Sequence, residues 1–316
     1  YILSYKYYKD LKGSYYDKMG YKAIAVYNTN GYAIDELPIT RQLTDYLNSI
    51  TYTNKDELLD AVRINLINRN TKVALNTTRE VIESISGHKT IYSLIREIDK
   101  PNTAKDGDYL SLHVIKFSQA IKIESKVRAS DGKEIITKDD PAKIIIDVAY
   151  ESSLEQEAVV DAVIAKIIKE LKLEGASDYQ KVKLIHDYII NNSSYDLSMR
   201  KSSAYNLLVD KSAVCEGYAL AAYRLFLAAG LESRIISGLG NNEPHAWNIV
   251  KVDGKWYNID LTWDDPVSSS GKPILKYDYF LKSDSDFKGH VRYPEFKTEE
   301  FYNKYQMAKS SYSYDH

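Results

Sequence analysis

Cys215 is the only cysteine in a chain of 316 residues. It stands in Ser-Ala-Val-Cys-Glu-Gly-Tyr-Ala, at the start of an apolar run with helical spacing. His245 follows in Pro-His-Ala-Trp-Asn, and Asp260 in Trp-Tyr-Asn-Ile-Asp-Leu-Thr-Trp. A thiol, an imidazole and a carboxylate in that order are the parts that cysteine acyl transfer requires. The sulfur attacks a carbonyl, the imidazole takes its proton and later returns it to the leaving amine, and the carboxylate holds the imidazole tautomer. A cysteine at a helix start faces unpaired amides and the positive end of the helix dipole, which favour thiolate over thiol. Glu216 opposes that effect, so the base must do much of the activation. The backbone N–H of Cys215 is the natural oxyanion donor. Tyr205, upstream, is the candidate for a second donor through its hydroxyl.

These residues need elements to bring them together. Ala219, Ala222, Phe226 and Ala229 recur at helical spacing after Cys215 and stop at Gly230, a residue suited to ending a helix. Gly217 permits close backbone approach near the nucleophile. Residues 245–262 read as a β-hairpin about Asp253-Gly254, a strong two-residue turn signal. In that register Asp260 faces Trp247 and His245 faces Thr262, which puts His245 and Asp260 on one face as diagonal neighbours. Diagonal separations of about 7–8 Å allow an imidazole–carboxylate bond. Ala246, Val250, Val252, Tyr257, Ile259 and Leu261 fall on the other face and read as core. A competing reading makes Cys215 a buried helix-start cysteine, with His245 and Asp260 mere sheet partners. It suits any one of the three alone and fits the joint arrangement poorly.

Upstream, Ser153 with Gln156 and Ser177 with Gln180 have capping-box spacing. They predict helices running to about Leu173 and to Asn191-Asn192. Earlier still, the pattern predicts a hairpin with Ala23–Tyr27 and Tyr32–Ile34 about Asn30-Gly31, a helix over 54–68, a strand over 71–76, and helices over 78–86 and 89–98. Tyr109–Phe117, Ala120–Ala129 and Lys143–Ala149 are expected to be extended, with a turn at Asp131-Gly132.

The bulk composition excludes several classes. The net charge is −2, from 42 basic and 44 acidic residues, so nothing electrostatic favours nucleic acid as a partner. The 28 tyrosines against 6 phenylalanines suit a polymer-facing surface, or else reflect compositional bias. One cysteine allows no internal disulfide. The apolar run Gly217–Leu231 is too short to span a membrane and carries Arg224. No metal or other cofactor is expected. Asp264-Asp265 and Asp284-Ser285-Asp286 lack the glycine and terminal glutamate of a calcium loop. His88, His113, His186, His290 and His316 show no zinc spacing. His186 reads as structural and His290 as a solvated loop residue. Gly238 and Gly240 do not make a phosphate loop. The chain opens at Tyr1, which a cleaved signal peptide or anchor explains, as does a trimmed chain. The first of these motivates an expected location outside the cell or at its surface.

The runs Ala213–Ala219, Ala229–Arg234, His245–Asn248 and Trp256–Trp263 together resemble the transglutaminase-like superfamily of papain-like cysteine enzymes. Residues 177–196, Trp263–Pro266 and Tyr279-Phe280 resemble the flanking segments of its bacterial secreted or membrane-tethered members. The resemblance covers about 150–290. It implies an α+β fold with a nucleophile helix packed on an antiparallel sheet, and Cys215, His245 and Asp260 as the catalytic triad. Residues 151–316 would form the catalytic domain and 1–150 an N-terminal accessory α+β region. The implied substrates are amides of proteins or cell-wall peptides, through a Cys215 thioester that an amine or water resolves. The alternative is a non-catalytic binding or scaffolding module that keeps the fold.

Overall fold

The computed structural model describes residues 47–85, 105, 107–128, 130–267 and 273–313, together with the backbone of Val26–Tyr27 and Ala33–Asp35. The fold is α+β, and the described chain falls into two compact units. One takes residues before 100 with Val114–Tyr150, and the other takes 100–113 with Glu151–His316. Among the described residues no helix is long and apolar enough to cross a membrane.

Local signals set the helices of the second unit. Leu154–Leu171 and Asp178–Asn192 both begin at reciprocal capping boxes, Ser153 with Gln156 and Ser177 with Gln180. Each box satisfies amides that the first helical turn leaves unpaired. A third box, Ser203 with Asn206, opens the short helix Ala204–Leu208. The helix Cys215–Ala228 ends at Ala229, and Gly230 follows with φ +82°. Its small and apolar faces are buried almost all round. Its one basic residue, Arg224, is neutralised by ion pairs to Glu157 (3.1 Å) and to Asp161.

That helix packs on a four-stranded antiparallel sheet ordered Lys255–Ile259, Glu243–Val252, Ser233–Gly240, His290–Arg292. The hairpin turn is as expected, with Asp253 and Gly254 both at positive φ (49° and 79°). Val252 pairs with Lys255 and Asn248 with Ile259. Ala246, Val250, Val252, Tyr257, Ile259 and Leu261 join the main hydrophobic cluster with the Cys215 helix. The opposite face is also covered, by a smaller cluster including Ile236, Trp247, Ile249, Trp256 and Phe287. His245 and Asp260 share the parity of this second face, so these two side chains lie on its aromatic-rich side.

The first unit holds a sheet ordered Thr51–Tyr52, Lys72–Thr78, Pro141–Tyr150, Val114–Ile123, with the helices Lys55–Ile67 and Arg79–Ile85. Strands Val26–Tyr27 and Ala33–Asp35 pair antiparallel, and Lys126–Val127 pairs with Glu134–Ile135 around Gly132 at φ +68°. One expectation fails here. Tyr109–Phe117 is not extended throughout, because Asp108–His113 is helical and the strand starts at Val114. Tyr109, Leu110 and His113 are buried along one helical face, a spacing that fits a short helix as well as a strand. The helix expected over 89–98 and the tyrosine- and lysine-rich stretch before residue 26 lie outside the described residues.

Candidate active site

Cys215 is approached along a braced segment. Ser194–Tyr195 pairs parallel with Ser212–Ala213, and the N–H of Val214 donates to the Lys201 carbonyl at 2.7 Å. The loop between is gathered round Asp196, whose carboxylate accepts from the amides of Ser198 (3.1 Å), Arg200 (2.9 Å) and Lys201 (3.0 Å). Hydrogen bonds from the Ser198 hydroxyl and these amides hold Asp196 down to about 2. Gly217 then lies against Ala213 and the Ser203 carbonyl so closely that a Cβ there has no room. Asn248 ties helix to sheet by donating to the Ala219 carbonyl at 3.1 Å. The N-cap of the Cys215 helix is the apolar Val214, which has no side-chain group to offer its first-turn amides.

His245 and Asp260 meet. His245 Nε2 lies 2.7 Å from Asp260 Oδ2. Burial pulls the imidazole toward its neutral form, but its hydrogen bonds to Asp260 and then Cys215 outweigh that and raise it to about 10. With Nε2 on Asp260, the ring's remaining nitrogen is Nδ1. Asp260 is 1% exposed. Burial pushes its pKa up, yet hydrogen bonds from His245 and His290 hold it at about 2. Its other oxygen, Oδ1, accepts the amides of Thr262 (2.9 Å) and Trp263 (3.2 Å).

The hairpin register delivers this contact only in part. The ladder stops at Asn248–Ile259. Asp260 then turns its N–H to the Tyr279 carbonyl at 3.2 Å, and Thr262 lies in the following turn. The pairs Asp260–Trp247 and His245–Thr262 do not form in the ladder, and His245 instead pairs with Gly238 on the other neighbouring strand. The shared face survives because parity is fixed before the ladder ends.

His290 is not a solvated loop residue. It lies on the strand His290–Arg292, its side chain is 1% exposed, and its Nε2 is 2.8 Å from the same Asp260 Oδ2. The signal that finds it is tertiary: Gly240 pairs with His290 across two strands far apart in sequence. Gly240 leaves space where a Cβ would meet the His245 ring and Trp263, each at 2.9 Å. Gly238 does the same for Trp247 and the backbone of Val291. The Gly-Leu-Gly sequence therefore serves close packing around the site.

His245, Asp260 and His290 are the one group of possible metal ligands among the described residues. Both imidazole nitrogens converge on a single carboxylate oxygen at hydrogen-bond distance, which is the geometry of donors gathered round an anion. Asp264 and Asp265 are committed elsewhere. Asp264 accepts from the Tyr279 amide at 2.9 Å and pairs with His186 Nε2 at 3.1 Å, and Asp265 accepts the Tyr218 hydroxyl at 2.5 Å. His186 is fully buried between Asp264 and Asp187, which pins the turn after Asp260 to the helix Asp178–Asn192. Tyr205 sits in Ala204–Leu208 with its ring packed against the main hydrophobic cluster. The tyrosine that feels Cys215 is Tyr195, whose pKa is pushed up first by burial and next by Cys215.

A helix-start cysteine, a histidine on an adjacent strand and a buried aspartate stand together in one α+β unit. Residues 165–261 match the family model of the transglutaminase-like superfamily. Kyphoscoliosis peptidase of Homo sapiens is 23% identical over 138 residues, and that of Mus musculus 24%. The match takes in 37% of this chain and 21% of either relative, so the chain spans about a fifth of the length of the relatives it matches. A solved structure described as a TGase is 17% identical, with a TM-score of 0.32 and coverage of 59% of this chain and 62% of its own. The periplasmic domain of TgpA from Pseudomonas aeruginosa is also 17% identical, with a TM-score of 0.27 and coverage of 46% and 65%.

Proposed function

We propose that this chain performs cysteine-dependent acyl transfer on protein or peptide amides, with Cys215, His245 and Asp260 as its catalytic set. The observation that carries the reading is the His245 ring, bonded to Asp260 at 2.7 Å through Nε2 and raised, against the effect of burial, to about 10 by Asp260 and Cys215. A cationic imidazole beside the sulfur is the setting that stabilises a thiolate. The Cys215 sulfur attacks the amide carbon, and its former proton resides on His245 Nδ1. The carbonyl oxygen gains the electron pair and faces the Cys215 N–H at a helix start without a side-chain cap. As the C–N bond breaks, His245 gives its proton to the departing amine, leaving a thioester on Cys215. Water or a second amine then attacks, passes a proton to His245, and the C–S bond breaks to restore the thiolate. Asp260 keeps the ring in one orientation throughout.

The test is incubation with a glutamine-containing protein and a labelled primary amine, alongside alkylation of Cys215 by iodoacetamide at neutral pH. Label incorporation that disappears in Cys215→Ala identifies amine transfer. Ammonia release or new peptide ends without incorporation identifies hydrolysis. A Cys215 inert to iodoacetamide and to substrate overturns the enzymatic reading in favour of a binding module that keeps the fold.

A further inference from the structure

Asp260 has left the sheet before it reaches His245, so its orientation depends on the donors around it. Oδ1 is held by the Thr262 and Trp263 amides of its own turn. Oδ2 receives His245 at 2.7 Å and His290 at 2.8 Å. Two amides on one oxygen still leave the other oxygen free to swing. His245 cannot prevent this alone, because its attraction to the carboxylate weakens whenever it surrenders its proton. His290 comes from outside the hairpin, on a strand paired through Gly240, and does not move with His245.

The surroundings of His290 leave it little else to do. Its ring stacks on Phe287 at 3.9 Å and lies 4.2 Å from Trp263, 5.0 Å from Trp247 and 5.4 Å from Tyr279. Its polar contacts are the Lys288 carbonyl at 3.1 Å on Nδ1 and Asp260 on Nε2. An aromatic cage of this kind is filled more cheaply by phenylalanine, since a buried imidazole must satisfy two polar nitrogens. The titratable groups around the pair are His245 on the neighbouring strand, Tyr279 and Asp264 on the turns that follow, and Cys215 across the His245 ring.

Resting on the catalytic set above, we propose that His290 is a positioning residue. It fixes the one Asp260 oxygen that orients His245, and so makes the working group four residues from four separate segments. A displacement near 1 Å at a reacting centre costs about 100-fold in rate, so the hold on this oxygen is worth a measurable fraction of activity.

The test compares His290→Phe, which fills the cage without the bond, with His290→Gln, which restores an N–H donor of similar reach. Three readouts are taken on the full chain: Cys215 alkylation by iodoacetamide against pH, turnover in the amine-incorporation assay, and the imidazole N–H signal of His245 in protein with labelled histidine. Alkylation in His290→Phe is expected to fall roughly 10- to 100-fold with an altered pH profile, and kcat to fall while KM holds. The His245 Nε2–H signal broadens or vanishes, and His290→Gln recovers both rate and signal. A His290→Phe protein with wild-type alkylation, pH profile and His245 signal overturns the proposal. So do equal losses in both variants that merely follow a common drop in thermal stability. If wild-type Cys215 is itself inert, the catalytic reading falls. The His245 signal still decides the positioning: its loss in His290→Phe supports it and its persistence sinks it.

Discussion

His245 and Asp260 bind each other across opposite shifts, and the signs of those shifts fix how stability follows pH. His245 is raised to about 10, above the ordinary imidazole value near 6.5. Its contribution is complete below about pH 6.5 and is lost as pH rises through about 10. Asp260 is lowered to about 2, so its contribution is present above about pH 4 and is lost as pH falls through about 2. The unfolding free energy from urea titrations is therefore expected to decline between about pH 6.5 and 10, by on the order of a few kcal/mol. His245→Gln should remove most of that decline. A slope unchanged by the substitution would mean that other groups set it. At this scale the His245–Asp260 contact was legible because both residues flank a turn that spells out its own register, and the proposed roles of these two and Cys215 rest on the chemistry of their residue types. His290 was not, since its partner is thirty residues away and the contact passes through a strand pairing with Gly240 that no local pattern announces.

Strands and helices are where local grammar succeeded and where its reach ended. Capping boxes at Ser153 and Ser177 mark helix starts because each is complete within four residues. Asp253-Gly254 marks the hairpin because few residue pairs accept positive φ twice in succession. The end of the ladder was illegible, because the Tyr279 carbonyl draws Asp260 away and that segment is remote in sequence. The helix Asp108–His113 was misread for a related reason: six residues hold too little periodicity to separate helix from strand. Gly240 gives this scale its sharpest test. A Cβ there meets the His245 ring at Cγ and Trp263 at Cζ2, each at 2.9 Å, and both rings are packed on aromatic neighbours. Gly240→Ala is expected to cost about 1–3 kcal/mol from overpacking. It should also slow Cys215 alkylation at least about 10-fold, because the imidazole must shift from its place on Asp260. Stability and rate measured on one preparation check both. A variant destabilised but fully reactive would show that Trp263 alone gives way.

The division of the whole chain turns on a segment that the sequence placed elsewhere. Residues 100–113 group with 151–316, and Asp108 and Tyr109 hold the described part of that segment there. Asp108 binds Arg234 through both oxygens, at 2.6 and 2.8 Å, and also accepts the Ile235 amide at 2.9 Å. Its neighbour Tyr109 is fully buried, donates to Glu157 at 2.9 Å and stacks on Tyr223 of the Cys215 helix. None of this shows in a linear reading, because an Asp-Tyr pair before an apolar stretch looks the same wherever it docks. We propose that 100–113 is an integral part of the unit carrying Cys215, so that a cut at 150 divides a folded body. Arg234 is 17% exposed and Asp108 12%, so removing the carboxylate leaves a mostly buried guanidinium whose further partner among the described residues is Tyr305, through its hydroxyl and ring. Asp108→Ala in the full chain is expected to cost about 3 kcal/mol in urea unfolding, while molecules that stay folded keep their Cys215 alkylation rate. A chain starting at residue 151 should lose at least as much relative to one starting at 100. If Asp108→Ala costs less than about 0.5 kcal/mol, the range of an exposed pair, the segment is only loosely attached and the boundary belongs at 150 after all.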